Sequence, residues 1–168
     1  TFGVFLMVAM LLPSGISRFR GDPNDRVVMT VAGRSVTTRD IALASREREA
    51  ATQLIGSIQD RSLFGLVGTS TEHWLFMTEA ARSAGLLGQA SDGKAFADRL
   101  AANFAQTLWQ NALNQWFQAG AQGEAPNAED ILGSAQTGVA NLATYVANRM
   151  RLTPDEMDLV LAKLGAIQ

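Results

Sequence analysis

The chain has 168 residues and a formal net charge of -2, enough for one ordinary domain and too little positive field to gather nucleic acid. It contains no cysteine, which removes disulfides, thiolate zinc sites and cysteine nucleophiles together. Only 18% of residues are charged, against roughly a quarter in ordinary soluble domains, a balance that favours helices with broad apolar faces.

No charge appears before Arg18, and Thr1 to Leu12 are almost wholly apolar. A spanning helix needs about 20 apolar residues. This run is shorter and begins in mid-pattern, so residues 1–17 are expected to be the end of a truncated transmembrane helix. A signal-peptide core and a buried helix are the rival readings, the former weakened by a poor small-x-small site between Pro13 and Phe19. Arg18, Arg20 and Arg26 follow the run, and the positive-inside rule taken alone places the remainder in the cytoplasm. Residues 18–26, with Gly21, Asp22, Pro23 and Asn24, form a turn-rich linker.

Val27 to Ala32 is short and β-branched, Gly33-Arg34 is a turn, and Ser35-Val36 returns, which predicts a small β-hairpin or extended arm, with Gly33 at positive φ. Thr37 with Asp40 three residues on opens a helix to about Gln59. Its inward face carries Ile41, Ala44, Ala51, Leu54, Ile55 and Ile58, and Arg39, Arg46, Glu47, Arg48 and Glu49 are expected to be solvated. Leu63 to Gly68 reads as an apolar loop. Thr69 with Glu72 opens a second helix that ends at Gly85 and, apolar around most of its circumference, is expected at the centre of the fold. Ser91 is expected to cap a third helix from Asp92 to about Ala119, with two i+4 rows, Phe96 to Trp116 and Ala97 to Phe117. Asn127 opens a fourth with Ile131, Ala135, Val139, Leu142, Val146 and Met150 inward. Thr153-Pro154-Asp155-Glu156 combines N-cap, Pro at the first helical position and a reciprocal Glu, and Gly165 is expected to stop that fifth helix. The fold class is mostly α, a helical bundle-like domain with one short N-terminal β-hairpin.

Residues able to do chemistry are scarce. His73 is the only histidine; Ser70, three residues before it, is better placed as a helix cap than as a nucleophile held against a base. Asp22 to Asp25 lacks the Gly and distal Glu of a calcium loop, and Gly65 to Ser70 lacks the Gly-Lys-Ser/Thr ending of a phosphate loop. No catalytic residue, metal ligand or cofactor is assigned. The candidates for binding are Trp109, Trp116 and Phe117, set among Gln110, Asn111, Asn114, Gln115 and Gln118. An i+4 row winds by about 40° per step, so this aromatic end turns away from the surface that Phe96, Leu100 and Phe104 bury against the second helix. Its partner is the fourth helix, a second copy of the chain or a bound apolar peptide.

The order of elements and three stretches carry a resemblance. Val27-Val28-Met29-Thr30-Val31-Ala32-Gly33-Arg34-Ser35-Val36-Thr37-Thr38-Arg39-Asp40-Ile41 resembles the opening of the SurA/PpiD-like family of exported chaperones and parvulin-type peptidyl-prolyl isomerases. The stretch from Trp74 to Leu86, followed by Ser91-Asp92, is similar to that family's apolar helix and the start after it. Arg151 to Met157 resembles a later helix start. Two departures stand out: Ala32 where the family has Asn before the Gly, and a segment from Ala105 to Ala143 longer than the family's simplest form. Residues 27–168 would then be a SurA N-terminal-like helical domain, and a parvulin domain, if the parent has one, would lie beyond Gln168.

The resemblance implies a membrane-anchored module on the extracytoplasmic side of the inner membrane. It would bind unfolded or partly folded exported polypeptides by apolar contact, without nucleotide or metal. An oligomerisation or scaffold module that joins protomers through the aromatic end is the alternative.

Overall fold

The computed structural model describes residues 22–31, 33–58 and 70–168, together with Leu63, Gly65 and Val67. A 3₁₀ turn at Pro23–Asp25 precedes strands β1 (Val27–Val31) and β2 (Arg34–Thr37). Helices α1 (Thr38–Ile58), α2 (Thr71–Ser83), α3 (Ala90–Gln118), α4 (Ala128–Met150) and α5 (Pro154–Ile167) follow. The protein is mostly helical with one short antiparallel hairpin. Residues 1–17, read above as a membrane anchor, lie outside the described residues. Among those described, no helix is long and apolar enough to cross a membrane.

The hairpin belongs to the domain. Val31 pairs with Arg34, Thr30 with Ser35 and Met29 with Val36, while the register shift between Val27 and Met29 leaves Val28 as a bulge. Gly33 makes the reversal at φ 79°, a conformation that costs an L-residue roughly 1–2 kcal/mol. Alternation then turns Val36 into the core, with Met29 and Val31 packed against it, and leaves Val27 and Val28 exposed.

Helix starts follow side-chain capping, at two places by a residue other than the expected one. Thr37 Oγ1 accepts from the Asp40 amide, and Asp40 Oδ2 accepts from the Thr37 amide, closing the expected reciprocal cap on α1. Hydrogen bonds from Thr37, helped by the nearby Arg34 and Arg39 charges, hold the Asp40 carboxyl below its ordinary range. Thr153 and Glu156 do the same for α5. For α2 the cap is Ser70, whose hydroxyl accepts from the His73 amide, and Thr69 lies outside the described residues. For α3 the cap is Gln89, with Asp92 reaching back to its amide at 2.7 Å. Ser91 falls inside the first turn, two residues later than a cap. Leu63, Gly65 and Val67, expected in a loop, have helical backbone, and Leu63 and Val67 are buried in the core.

The central helix is α5, in place of the expected α2. It packs against α1, α2, α3 and α4 and buries Met157, Val160, Leu161, Ala162 and Leu164. Helix α2 buries Trp74 and Leu75 but leaves Phe76 61% exposed, since it meets the core on one side only. Gly165 lies within α5 and does not stop it. A Cβ there would stand 3.1 Å from the Phe96 ring, so the glycine admits Phe96 of α3. Gly93 of α3 is tighter still, because its Cβ would come within 1.9 Å of the Asp158 carbonyl oxygen. Phe96 and Leu100 therefore bury against α5, where α2 was the expected partner.

The two helices differ in length by a factor of about two, roughly 44 Å for α3 against 21 Å for α5. No residue of α3 beyond Ala105 is buried. Past that point α3 continues beside α4, and residues 105–143 form a two-helix extension with its connecting loop.

The contact at Gly93 separates two effects of the same substitution. In the open middle of α4, where a Cβ on Gly138 meets nothing within 4 Å, Gly138→Ala should gain up to about 1 kcal/mol of helix propensity. Gly93→Ala makes the same gain but must push α3 off the α5 backbone, an overpacking cost of about 1–3 kcal/mol or more. Urea denaturation should show the first variant more stable than the parent and the second less stable.

Candidate functional site

Two cavities are candidates, and their linings decide between them. The first is a groove of about 400 Å³ between α3, α4 and the start of α5, within the range of about 300–1,000 Å³ usual for ligand pockets. Its floor is built from small residues: Ala97 and Ala101 on α3 face Val139, Ala143 and Ala147 on α4, Ala140 stands exposed at the lip, and Leu152, Met157 and Leu161 close one end. Alanines at i, i+3 and i+4 place short side chains along one face, too short to fill the space between three helices. Lys94, Asp98 and Asp158 stand on the rim, with Gln136, Thr144 and Asn148 as the neutral polar groups. Among the described residues neither aspartate carboxylate makes an ion pair.

A smaller cavity, about 130 Å³, lies between the hairpin, α1, α2 and α5. Its charges already answer one another. Arg34 bridges Asp40 at 3.2 Å and Glu79 at 2.5 Å, and Arg82 also binds Glu79 at 2.5 Å. Lys163 Nζ donates to both Glu47 oxygens at 2.5 and 2.6 Å, and Trp74 Nε1 donates to Glu47 Oε2 at 3.1 Å. Glu47, expected on a solvated face, is 5% exposed. The ion pair with Lys163 and the indole N–H are what allow a carboxylate to be buried there. This cavity is a polar clamp joining hairpin, α1, α2 and α5.

The aromatic candidates lie elsewhere. Trp109 and Trp116 are half-buried and Phe117 is 63% exposed. Trp116 and Phe117 meet edge to face with centroids 5.0 Å apart, and Trp116 Nε1 reaches the Gly123 carbonyl at 3.4 Å. None of the three lines the groove. They sit beyond its open end, since Gln136 is the lining residue of α4 nearest the α3–α4 connection. Of the partners weighed for this end, α4 is the helix that runs beside α3, and it leaves Phe117 uncovered. Ser70 is occupied as the cap of α2, and His73 is exposed beside it.

Sequence reasoning placed binding on large aromatic side chains and read Ala97, Ala101 and Ala105 as a packing row. The available signal was the run of small residues at helical spacing on two helices joined by one turn, Ala97/Ala101 and Ala140/Ala143/Ala147. A family model, a curated protein and a solved structure were each sought as a match to the chain, and none matches.

The clamp makes a stability prediction independent of any ligand. Lys163→Met strands a buried carboxylate that keeps only its indole donor, and should cost about 3 kcal/mol in urea denaturation. Glu47→Leu combined with Lys163→Met should cost less than that single change, because no charge is then left unpaired.

Proposed function

We propose that the domain is a chaperone-like module that holds apolar stretches of unfolded or partly folded polypeptide in the α3–α4–α5 groove. The observation that carries this reading is the groove itself, an apolar, alanine-floored space left open between three helices. The resemblance of residues 27–41, 74–86 and 151–157 to SurA/PpiD-like proteins supports it from the sequence side. In that reading residues 1–17 anchor the module to the inner membrane, its clients are exported polypeptides on the extracytoplasmic side, and the parent protein is a peptidyl-prolyl cis-trans isomerase whose catalytic domain follows residue 168.

The energetics suit a holding function. Each apolar side chain transferred from water into the groove contributes roughly 1.5–3 kcal/mol, and a few of them must offset the loss of translational freedom on association. The balance is an affinity of about micromolar to millimolar, weak enough for release and undemanding of sequence. Trp109, Trp116 and Phe117, beyond the open end of the groove, extend the apolar surface along the same client chain. A scaffold role, in which Phe117 joins two copies of the protein, is the second reading, favoured by the exposure of that ring.

Ala140 is exposed on the groove lip, so Ala140→Phe should lay a ring across the opening with little change in melting temperature. Suppression of aggregation of a thermally unfolded model protein, followed by light scattering, should fall several-fold in this variant. The paired change Trp116→Ser with Phe117→Ser should weaken it less. Undiminished suppression in folded Ala140→Phe protein would remove the groove from the proposal. A loss of self-association in the paired variant, with suppression untouched, would favour the scaffold.

A further inference from the structure

The walls of the groove restrict what conformation its occupant can adopt. On α4 the lining positions are 136, 139, 140, 143, 144, 147 and 148, a continuous stripe at helical spacing about 18 Å long. The residues facing them on α3 and α5 are also within helices, and Leu152 in the α4–α5 connection is the one lining residue that is not. Backbone groups in the body of a helix are already paired with one another, so these walls offer no sheet edge. An extended chain laid in the groove would have no sheet edge to pair with and only the scattered side chains of Lys94, Asp98, Gln136, Thr144, Asn148 and Asp158 to serve its amides and carbonyls, and any left dry would cost free energy. A helix satisfies its own backbone, and an alanine floor lets a second helix approach closely. A stripe of about 18 Å accommodates about three helical turns.

Charge adds an orientation. Asp98 comes from α3 and Asp158 from α5. Both line the groove, and neither makes an ion pair among the described residues. Lys94 offsets one of the two, which leaves this rim with one net negative charge. Beside a partly desolvated apolar surface, such a rim attracts a cation more strongly than the same charge would in open water.

We infer that the preferred occupant is a short amphipathic helical segment of the client polypeptide, about three turns long. Its apolar stripe lies on the alanine floor and a Lys or Arg stands against Asp98 and Asp158. The inference rests on the proposed client-binding role and specifies its substrate class. Clients would be recognised by segments able to fold into a helix on contact, the helix-in-groove mode of peptide recognition.

Three fluorescently labelled peptides of about 14 residues test this by anisotropy: an amphipathic helix former bearing one Lys beside its apolar stripe, the same peptide with two central Pro residues, and the same peptide with Glu in place of Lys. The first should bind about tenfold more tightly than the second and several-fold more tightly than the third. It should also gain helical circular dichroism on binding. Asp98→Asn combined with Asp158→Asn should abolish the preference for Lys over Glu. Equal binding of the Pro peptide, indifference to the Lys-to-Glu exchange, or a groove buried in a dimer of this chain by sedimentation would each overturn the inference. If no peptide binds while aggregation of the full unfolded protein is still suppressed in a manner sensitive to Ala140→Phe, the helical specificity fails and the client-binding role stands. If suppression also fails, both fall.

Discussion

Helix α3 meets α5 through two glycines, one from each helix, and the rest of the architecture depends on that close approach. Gly93 presses on the α5 backbone at Asp158, and Gly165 makes room for the Phe96 ring. These contacts bring the apolar face of α3 against Val160, Leu161 and Leu164, and leave α5 to be wrapped by α1, α2 and α4. Because α5 is short, it supports only the first half of α3. The remainder of α3 has α4 alone beside it, and where α4 returns over α5 the small residues of both long helices leave a trough.

Cores are ordinarily filled to the density of organic crystals, so an unfilled apolar trough of this size at the junction of three helices costs the protein burial it would otherwise have. Bulkier residues at Ala101 or Ala143 would recover that burial and remove the space. The ionic cavity shows the opposite arrangement. There, each carboxylate already has a cationic partner, and Glu47 has an indole donor as well. One cavity is satisfied internally and holds elements together, whereas the other is open and apolar and has chemistry to offer a ligand.

Much of the fold was legible because its signals are local. The reciprocal caps at Thr37/Asp40 and Thr153/Glu156 need only residues three apart, and Gly33 marks a turn that L-residues resist. What was misread depends on distant partners. Gly165 reads as a helix stop because a glycine near a helix end usually is one, yet its role is set by Phe96, far away in sequence. Glu47 looked solvated because its neighbours in sequence are charged, and only Lys163 and Trp74 explain its burial. The composition of α2 points to a central helix, but centrality is a property of how many neighbours surround a helix, which α5 satisfies without a single aromatic residue. The candidate site was least legible of all. Trp109, Trp116 and Phe117 draw the eye by size, while a groove is made by side chains that are small, and alanine rows read equally well as tight packing.

The central claim is that unfolded chains are held in the α3–α4–α5 groove, and site-specific photo-crosslinking tests it most directly. A photoreactive amino acid placed in turn at Gln136, Ala140 and Thr144 in the groove, at Phe117 beyond its open end, and at Thr52 on the exposed side of α1 would be illuminated in the presence of an unfolded model protein. The account predicts strong crosslinks from the three groove positions, weaker ones from Phe117 and background from Thr52. Crosslinks confined to Phe117, or equal at all five positions, would contradict it.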